Sequence, residues 1–166
     1  MLVIDNHIQN QSDCSGNTAL HIACQNNTVD IVRYLIKEKE CDPSIENHKN
    51  ELPIHLACRH SLEMVKLVSN CVLKPTEANY MTLLDVACSE GILDIVKYLH
   101  KEWQCNLHTE SSTSQYYDPL HFVCHLHKSR AEVTDAHIAI AKYLVTLCGC
   151  NPMKGKNDND SPIETA

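Results

Sequence analysis

Apolar residues recur along the chain at helical spacing, in short stretches that polar segments separate. Four of these stretches carry apolar positions at i, i+3 and i+4 and predict amphipathic helices, at residues 29–35, 62–68, 93–99 and 137–145. A shorter apolar stretch that ends in a cysteine precedes each of them, at residues 18–24, 52–58, 82–88 and 118–124. The pattern predicts an all-α chain of helix–turn–helix units, none of which could bury its apolar face alone.

The cysteines that end the shorter stretches mark a repeat. They stand at positions 24, 58, 88 and 124, so the successive steps are 34, 30 and 36 residues. A second cysteine recurs six residues after a leucine, as Leu35 with Cys41 and Leu144 with Cys150. Self-similarity near a period of about 33 residues is typical of a stacked repeat array. We therefore expect one repeat domain over residues 1–166, with repeats at about 13–46, 47–76, 77–112 and 113–157 and a partial repeat at 158–166.

The fourth repeat is longer than the others, with additional residues near 127–136. One interpretation is a neutral insertion or a longer second helix. The alternative is a protrusion that contacts a partner, because insertions in repeat proteins map to loops on one face. Residues 4–7 are similar to the tail of an earlier turn, and the last six residues are similar to the start of a new unit. We therefore expect the chain to be a piece of a longer protein.

Composition and charge limit the classes of function. The net charge is −7 and no cluster of Lys or Arg stands out, which argues against binding of nucleic acid. The sequence shows no signal peptide and no apolar stretch of membrane-spanning length, so no membrane association is expected. Without a secretory signal, the ten cysteines are expected to be reduced thiols in a cytoplasmic protein.

The segment TALHIA at residues 18–23 resembles the T-P-L-H-x-A signature of the ankyrin-repeat family. Related segments recur in the other repeats, with Leu52 in place of the threonine, Asp85 in place of the histidine and Val123 in place of the last alanine. The resemblance implies an ankyrin-repeat solenoid of stacked helix–turn–helix units with protruding turns. It also implies that the signature histidines are structural and hydrogen-bond the neighbouring turn. The residues to which this scaffold role applies are His21, His55, His121, Cys24, Cys58, Cys88 and Cys124.

Ankyrin domains generally bind other proteins, so the resemblance implies a non-enzymatic module that binds a partner protein or peptide on the concave face of the array. No cofactor, metal ion or catalytic residue is expected, and the chain is expected to be a monomer. The family's contact positions correspond here to Asn17, Gln25, Asn26, His48, Lys49, Glu51, Arg59, His60, Tyr80, Met81, Ser89, Glu90, Tyr116, Tyr117 and His125. Tyr80, Met81, Tyr116 and Tyr117 are the preferred anchors, because large side chains at exposed tips bury much area. The alternative is that one tyrosine of each pair packs under its turn.

Two other interpretations remain open. The first is a zinc-binding variant of the same scaffold, since the fourth repeat is rich in soft donors, namely His121, Cys124, His125, His127, Cys148 and Cys150. Against it, one residue separates Cys148 from Cys150, where structural zinc loops usually have about two to four. The second is an architectural spacer that binds nothing specific. An enzyme is not expected, because no third catalytic group or oxyanion-hole sequence accompanies a cysteine–histidine pair.

Overall fold

The structure, a computed structural model, describes residues 10–71, 77–103, 119–120, 123 and 134–150, with the backbone alone at 77–81. Its helices are α1 (Ala19–Gln25), α2 (Val29–Lys37), α3 (Pro53–Ala57), α4 (Leu62–Ser69), α5 (Glu77–Ser89), α6 (Leu93–Glu102) and α7 (Asp135–Thr146). Residues 119, 120 and 123 are also helical. The described residues contain no strand, and Ser12 and Thr18 form an isolated bridge. The predicted all-α class is confirmed.

The chain divides into two compact units, residues 1–75 and 76–166. In the first unit, α1 packs on α3 and α2 packs on α4, while α1 and α3 also pack on the second helix of their own repeat. In the second unit, α5 packs on α6, and α7 contacts both of these helices. In the first unit, first helices therefore stack on first helices and second helices on second helices.

A small side chain recurs at one buried position of the first helices α1, α3 and α5. Ala23, Ala57 and Ala87 are all buried, as expected for a residue that recurs at a helix contact. All five residues of α3 are buried, whereas the only buried residue of α2 is Val32.

In the part of the chain that the structure describes, no helix is long and apolar enough to cross a membrane.

The recurrence of cysteine six residues after leucine reflects the way the second helices end. The amide of Cys41 donates to the carbonyl oxygen of Leu35 at 3.1 Å, and the amide of Cys150 donates to that of Leu144 at 3.0 Å. Each bond spans six residues and satisfies a carbonyl that the last helical turn leaves without an intrahelical partner. Both cysteines are buried, so each also packs in the core beside the end of its helix.

The residue before each of these two cysteines adopts a left-handed conformation. It is Glu40, with a φ of 51°, in the first repeat, and Gly149, with a φ of 71°, in the fourth. Glycine adopts this conformation without steric cost, whereas a residue with a side chain does so unfavourably. The left-handed position at the helix end is therefore unstrained in the fourth repeat, where it is Gly149, and strained in the first repeat, where it is Glu40.

Helix α7 begins before residue 137, where the apolar pattern starts. Its N-cap is Thr134 and its first residue is Asp135, so residues 134–136 form the start of the helix. These are the last residues of the segment near 127–136 that was expected to be additional. Residues 127–133 lie outside the described residues.

Candidate functional site

The first turn of the first unit is closed by its own acidic side chain. Asp13 Oδ1 accepts the backbone N–H groups of Asn17 (2.9 Å) and Ser15 (2.8 Å). These backbone hydrogen bonds lower the pKa of Asp13 below its ordinary value. The amide of Gly16 also donates to the carbonyl oxygen of Asp13 at 3.0 Å. Acidic and amide side chains favour turns because they bond the backbone a few residues ahead in this way.

The second turn repeats the pattern with an amide in place of the carboxylate. Asn47 Oδ1 accepts the backbone N–H groups of Lys49 (2.9 Å) and Glu51 (3.0 Å). Asn47 Nδ2 donates to Asn17 Oδ1 at 3.0 Å and to the Glu51 carboxylate at 3.2 Å. The buried side chain of Asn47 thus holds its own turn and ties it to the preceding one.

The two turns also touch through their backbones. The amide of His48 donates to the carbonyl oxygen of Ser15 at 3.0 Å. Gly16 has a φ of 79°, and a Cβ placed on it would lie 2.8 Å from the backbone nitrogen of His48. Only glycine fits this position, because any side chain would strain the backbone and collide with the next turn. The tips of the first two repeats are therefore held at a fixed separation.

His21 links the start of α1 to the second turn. Its Nδ1 accepts the backbone N–H of Thr18 at 3.1 Å and lies 2.9 Å from the Thr18 hydroxyl. Its Nε2 donates to the carbonyl oxygen of Glu51 at 3.0 Å. A carbonyl can only accept and an amide can only donate, so these partners select the neutral tautomer with its proton on Nε2. His21 is fully buried and has the structural role that the resemblance implies.

Two further histidines support the same junction. His55 Nδ1 accepts the backbone N–H of Leu52 at 2.8 Å, so the ring satisfies an amide at a helix start where leucine has no polar side chain. His60 Nε2 donates to the carbonyl oxygen of Gln25 at 2.9 Å, at the C-terminal end of α1. Histidines therefore connect the first two repeats at both ends of α1.

In the second unit the same hydrogen bonds appear on a second helix. Thr134 donates its backbone N–H to His137 Nδ1 at 3.1 Å, and its hydroxyl lies 2.8 Å from the same nitrogen. His137 Nε2 donates to the carbonyl oxygen of Ser89 at 3.1 Å. A Cβ placed on Gly91 would lie 2.9 Å from the ring, so glycine makes room for it. His137 thereby joins α7 to the C-terminal end of α5.

Asp85 stands in the third repeat at the signature-histidine position and has a different environment. It is the ninth residue of α5, which begins at Glu77, so no helix start with unpaired amides lies next to it. Among the described residues, nothing hydrogen-bonds the buried Oδ1 atom of Asp85. Burial raises the pKa of this carboxyl to about 8. Asp85 is therefore largely protonated at neutral pH.

The residues expected to contact a partner fall into three groups. Those of the first unit are exposed at the second turn or at first-helix ends, namely Gln25, Asn26, His48, Lys49, Arg59 and His60. Asn17 and Glu51 are only partly exposed and are engaged with Asn47. In the second unit, Glu90 is exposed, while Ser89 is partly exposed and its hydroxyl donates to the carbonyl oxygen of Val86 at 2.9 Å.

The preferred anchors are placed differently from the expectation or are not described. The backbone of residues 77–81 is helical, so Tyr80 and Met81 lie on α5 rather than at the tip of a turn. The helix begins earlier than predicted because the apolar pattern marks only the buried positions, not the first turns. Tyr116, Tyr117 and His125 lie outside the described residues.

The proposed zinc ligands are described only in part. His121, Cys124, His125 and His127 lie outside the described residues. Cys148 is buried with its Sγ 3.6 Å from His100 Nδ1, and the same nitrogen lies 2.8 Å from the Tyr143 hydroxyl. Burial raises the pKa of the Cys148 thiol. No group of three potential metal ligands occurs where the structure is described.

The other buried cysteines also lack the character of nucleophiles. Burial raises the pKa of Cys24 to about 12, and burial together with the nearby Cys24 raises the pKa of Cys58 further. A neutral thiol is a poor nucleophile, because the thiolate is the reactive form. Both cysteines lie in the core, in agreement with the scaffold role expected of them.

Sequence reasoning missed two residues that organise the junctions, Asn47 and His137. A signal for each was present. Asn47 follows Asp13 by 34 residues, the same step that separates Cys24 from Cys58. His137 follows Thr134 at the three-residue spacing that the signature has at residues 18–21. Both could have been found by extending the repeat alignment to polar residues.

Comparison with known proteins gives a consistent result. A protein-family model described as ankyrin repeats (3 copies) matches residues 1–71 and 36–111. The chain is 33% identical over 91 residues to NF-kappa-B inhibitor alpha of Rattus norvegicus. The match covers 49% of this chain and 29% of that protein. The Mus musculus protein of the same name matches with the same identity and coverage. The chain thus spans less than a third of the length of these curated relatives.

Two solved structures have a similar fold. The crystal structure of EF0377, an ankyrin repeat protein, covers 97% of this chain and 79% of its own, with a TM-score of 0.72 and 22% identity. The human ASB11 ankyrin repeat domain covers 95% of this chain and 80% of its own, with a TM-score of 0.64 and 18% identity. At these identities the two structures support the fold alone.

Proposed function

The chain belongs to the ankyrin-repeat family, and we propose that it is a non-enzymatic module that binds a partner protein or peptide. The contact surface in the first unit would consist of the turn tips and the C-terminal ends of the first helices. The observation that carries the proposal is that different residues of this surface fix the backbone and face the solvent. Buried polar groups hold the turns in place, while the neighbouring Lys49, Arg59 and Gln25 remain exposed. A rigid backbone with adaptable exposed side chains suits binding at low entropic cost.

Asn17 and Glu51 take a supporting role in this proposal. Glu51 accepts from Arg59 Nη2 at 3.1 Å and from Asn47, so it orients an exposed arginine rather than meeting the partner alone. An ion pair at the surface adds little stability, but it restricts the positions that the arginine can occupy. We expect the partner to contact Arg59 together with Lys49, and Glu51 only at the edge of the interface.

The ligand and the location of the protein are part of the same proposal. We propose a monomer that acts in the cytoplasm, takes a protein ligand rather than nucleic acid or membrane, and requires no cofactor. The net charge of −7 disfavours a phosphate backbone as ligand. The exposed Cys14 and Cys71 are unpaired, which is in keeping with a reducing compartment. The related NF-kappa-B inhibitor alpha is, by its name, an inhibitor of another protein, which accords with a protein ligand here.

A pair of double variants tests the proposal. Lys49→Ala with Arg59→Ala removes one lysine and one ion-paired arginine from the proposed surface. Lys37→Ala with Arg33→Ala removes the same residue types from α2, where Arg33 pairs with Glu63 at 3.3 Å. Both variants change the net charge equally, so a difference between them reports position rather than charge.

The measurement is cross-linked capture from cell extract, quantified by mass spectrometry, with circular dichroism of each variant. We expect the first double variant to lose a protein that the wild type and the second double variant retain, at unchanged helicity. Equal capture by all three proteins would contradict the proposal for this surface and would favour the architectural spacer.

A further inference from the structure

A basic residue recurs at one position of the second helices. Alignment on the Tyr-Leu pair that follows it in α2, α6 and α7 gives the positions Arg33, Lys66, Lys97 and Lys142. Three residues before the basic residue, α2, α4 and α6 carry an acid, namely Asp30, Glu63 and Asp94. Helix α7 carries Ala139 at this position, so it lacks the acid that the other three helices have.

In the first unit, this acid pairs with the basic residue of the preceding second helix. Arg33 Nη2 lies 3.3 Å from Glu63 Oε1, so the ion pair joins α2 to α4. The same alignment sets Lys97 of α6 against Ala139 of α7, where no carboxylate is present. Among the described residues, Lys97 has no ion-pair partner.

The side chain of Lys97 nevertheless crosses to α7. Its Nζ lies 6.0 Å from the centroid of the Tyr143 ring, which is the outer range of a cation–π contact. Tyr143 follows Ala139 by four residues, so both lie on the same side of α7. His100 holds the Tyr143 ring in place, with its Nδ1 2.8 Å from the hydroxyl. The ammonium group therefore lies over the side of α7 that carries Ala139.

The charges along the two helices favour an anion at this place. Lys101, one turn after Lys97, and Lys142, one turn after Ala139, are both exposed. The acids of α6 and α7 stand at the helix ends, namely Asp94, Glu102 and Asp135. Two of them lie in first turns, where a carboxylate stabilises the amino end of a helix. Between these ends the two helices carry lysines and no acid.

We propose that the α6–α7 surface, defined as Lys97, Lys101, Ala139 and Lys142, docks a short acidic peptide segment of a partner protein. One carboxylate of the partner takes the place beside Lys97 that is equivalent to that of Glu63 in the first unit. The small side chain of Ala139 leaves room for it, and the other two lysines pair with neighbouring carboxylates of the segment.

The choice of a short acidic segment follows from two observations. A carboxylate is the group that occupies the equivalent place in the first unit. The net charge of −7 repels a long polyanion such as a nucleic acid, whereas a short segment meets only the local lysines. The α6–α7 surface belongs to the second unit, so the inference does not depend on the partner surface proposed for the first unit.

Two variants remove or fill the proposed place. Lys97→Ala removes the ammonium group, and Ala139→Glu supplies the carboxylate from α7 itself, so that it competes with the partner. Ala136→Glu is the matched control, because it adds the same charge at an exposed position one turn earlier on α7. It lies next to Asp135, which has no ion-pair partner among the described residues. Circular dichroism should show all three variants folded, with melting temperatures within about three degrees of the wild type.

The measurement is fluorescence anisotropy of a labelled octaglutamate peptide, titrated with each full-length protein at low ionic strength. We expect wild type and Ala136→Glu to bind the peptide with similar affinity. Lys97→Ala and Ala139→Glu should bind it at least about tenfold more weakly, because each removes the ion pair at the centre of the surface. Added salt should weaken the binding, and octaglutamine should not bind.

Three results would contradict the inference. The first is the absence of octaglutamate binding to the wild type, or binding that Lys97→Ala leaves unchanged. The second is an equal loss of affinity in Ala136→Glu and Ala139→Glu, because the overall charge and not the place on α7 would then decide. The third is displacement of the peptide by inorganic phosphate at the same concentration, which would indicate a small-anion site. Lys49 and Arg59 are intact in all these variants, so failure here leaves the capture experiment on the first unit unaffected.

Discussion

His21 in the first unit and Asp85 in the second both stand three residues before a recurring cysteine, yet their surroundings differ. Both ring nitrogens of His21 have partners, on the Thr18 amide at one end and the Glu51 carbonyl at the other. Asp85 Oδ1 has none among the described residues. An imidazole carries an acceptor and a donor on opposite sides, so it can bridge an amide and a carbonyl. Asp85 lies in the middle of α5, so no helix start with unpaired amides lies beside it to form one end of such a bridge.

The second unit makes the bridge from another helix. His137 on α7 bonds the Thr134 amide and donates to the Ser89 carbonyl with distances close to those of His21. The structural motif is therefore the amide–imidazole–carbonyl chain and not the position of histidine in the signature. A repeat that loses its signature histidine can be joined by a histidine of a neighbouring repeat.

The largest effect is expected from removal of the bridge in the first unit. His21→Ala removes the side-chain partner of the Thr18 amide, leaves the Glu51 carbonyl with the Asn47 amide alone, and opens a cavity under the turn. We expect the free energy of unfolding to fall by about 2–4 kcal/mol, measured by urea denaturation. His60→Ala is the matched control, because it removes one exposed histidine with one hydrogen bond and should cost no more than about 1 kcal/mol. If both variants lower the free energy of unfolding equally, the His21 bridge contributes no more stability than a single exposed hydrogen bond.

The second prediction concerns the pH dependence that Asp85 introduces. Its pKa is about 8 in the folded chain, against 3.8 for the unperturbed group. Between these values the folded state retains a proton that the unfolded state has lost, so stability decreases as pH rises and levels off above the folded-state pKa. We expect a loss of about 2 kcal/mol between pH 6 and pH 8, measured by chemical denaturation.

Asp85→Asn isolates this contribution, because an amide has a similar shape and does not titrate. The difference between wild type and variant should grow in favour of the variant from pH 6 to pH 8. All other titratable groups are the same in both proteins, so their contributions cancel in the difference. A difference that stays constant over this range would show that Asp85 is already ionised at pH 6.

The smallest effect is expected at the helix endings. Glu40 holds a left-handed conformation that Gly149 holds in the fourth repeat. Glu40→Gly should therefore raise the free energy of unfolding by about 1 kcal/mol, seen as a shift of the urea midpoint. Glu38→Gly, two residues earlier at a right-handed position with φ of −102°, should lower the same quantity. If both glycines destabilise the protein, the strain assigned to Glu40 is wrong.

The regular parts of the molecule were predictable from local sequence. The four amphipathic stretches correspond to α2, α4, α6 and α7, because helical periodicity survives wherever one face is buried. The six-residue step to Cys41 and Cys150 was also visible, although its cause, the hydrogen bond from the cysteine amide to the leucine carbonyl, was not. The early start of α5 and of α7 was not predicted, because the apolar stretches were followed only from residues 82 and 137 onwards.

For the candidate site, the sequence indicated which residues occupy the family's contact positions but not which of them are committed elsewhere. Asn17 and Glu51 proved to be engaged with Asn47, whereas Lys49 and Arg59 remained exposed. The assignment depends on contacts between residues about 30 positions apart, and a pattern read along one repeat does not contain them.

By itself, the sequence determined the helical class, the repeat period and the family, because each depends on spacings within a few tens of residues. Only the tertiary structure decided that Asp85 has a buried Oδ1 atom without a partner among the described residues, and that His137 makes the bridge that Asp85 does not. It also decided that Ile22 and Ile31 are exposed while Leu56 and Met64 are not. The burial of a side chain and its hydrogen-bond partners depend on which residues of the neighbouring repeat lie against it. Apolar residues at equivalent positions are therefore buried in one repeat and exposed in another.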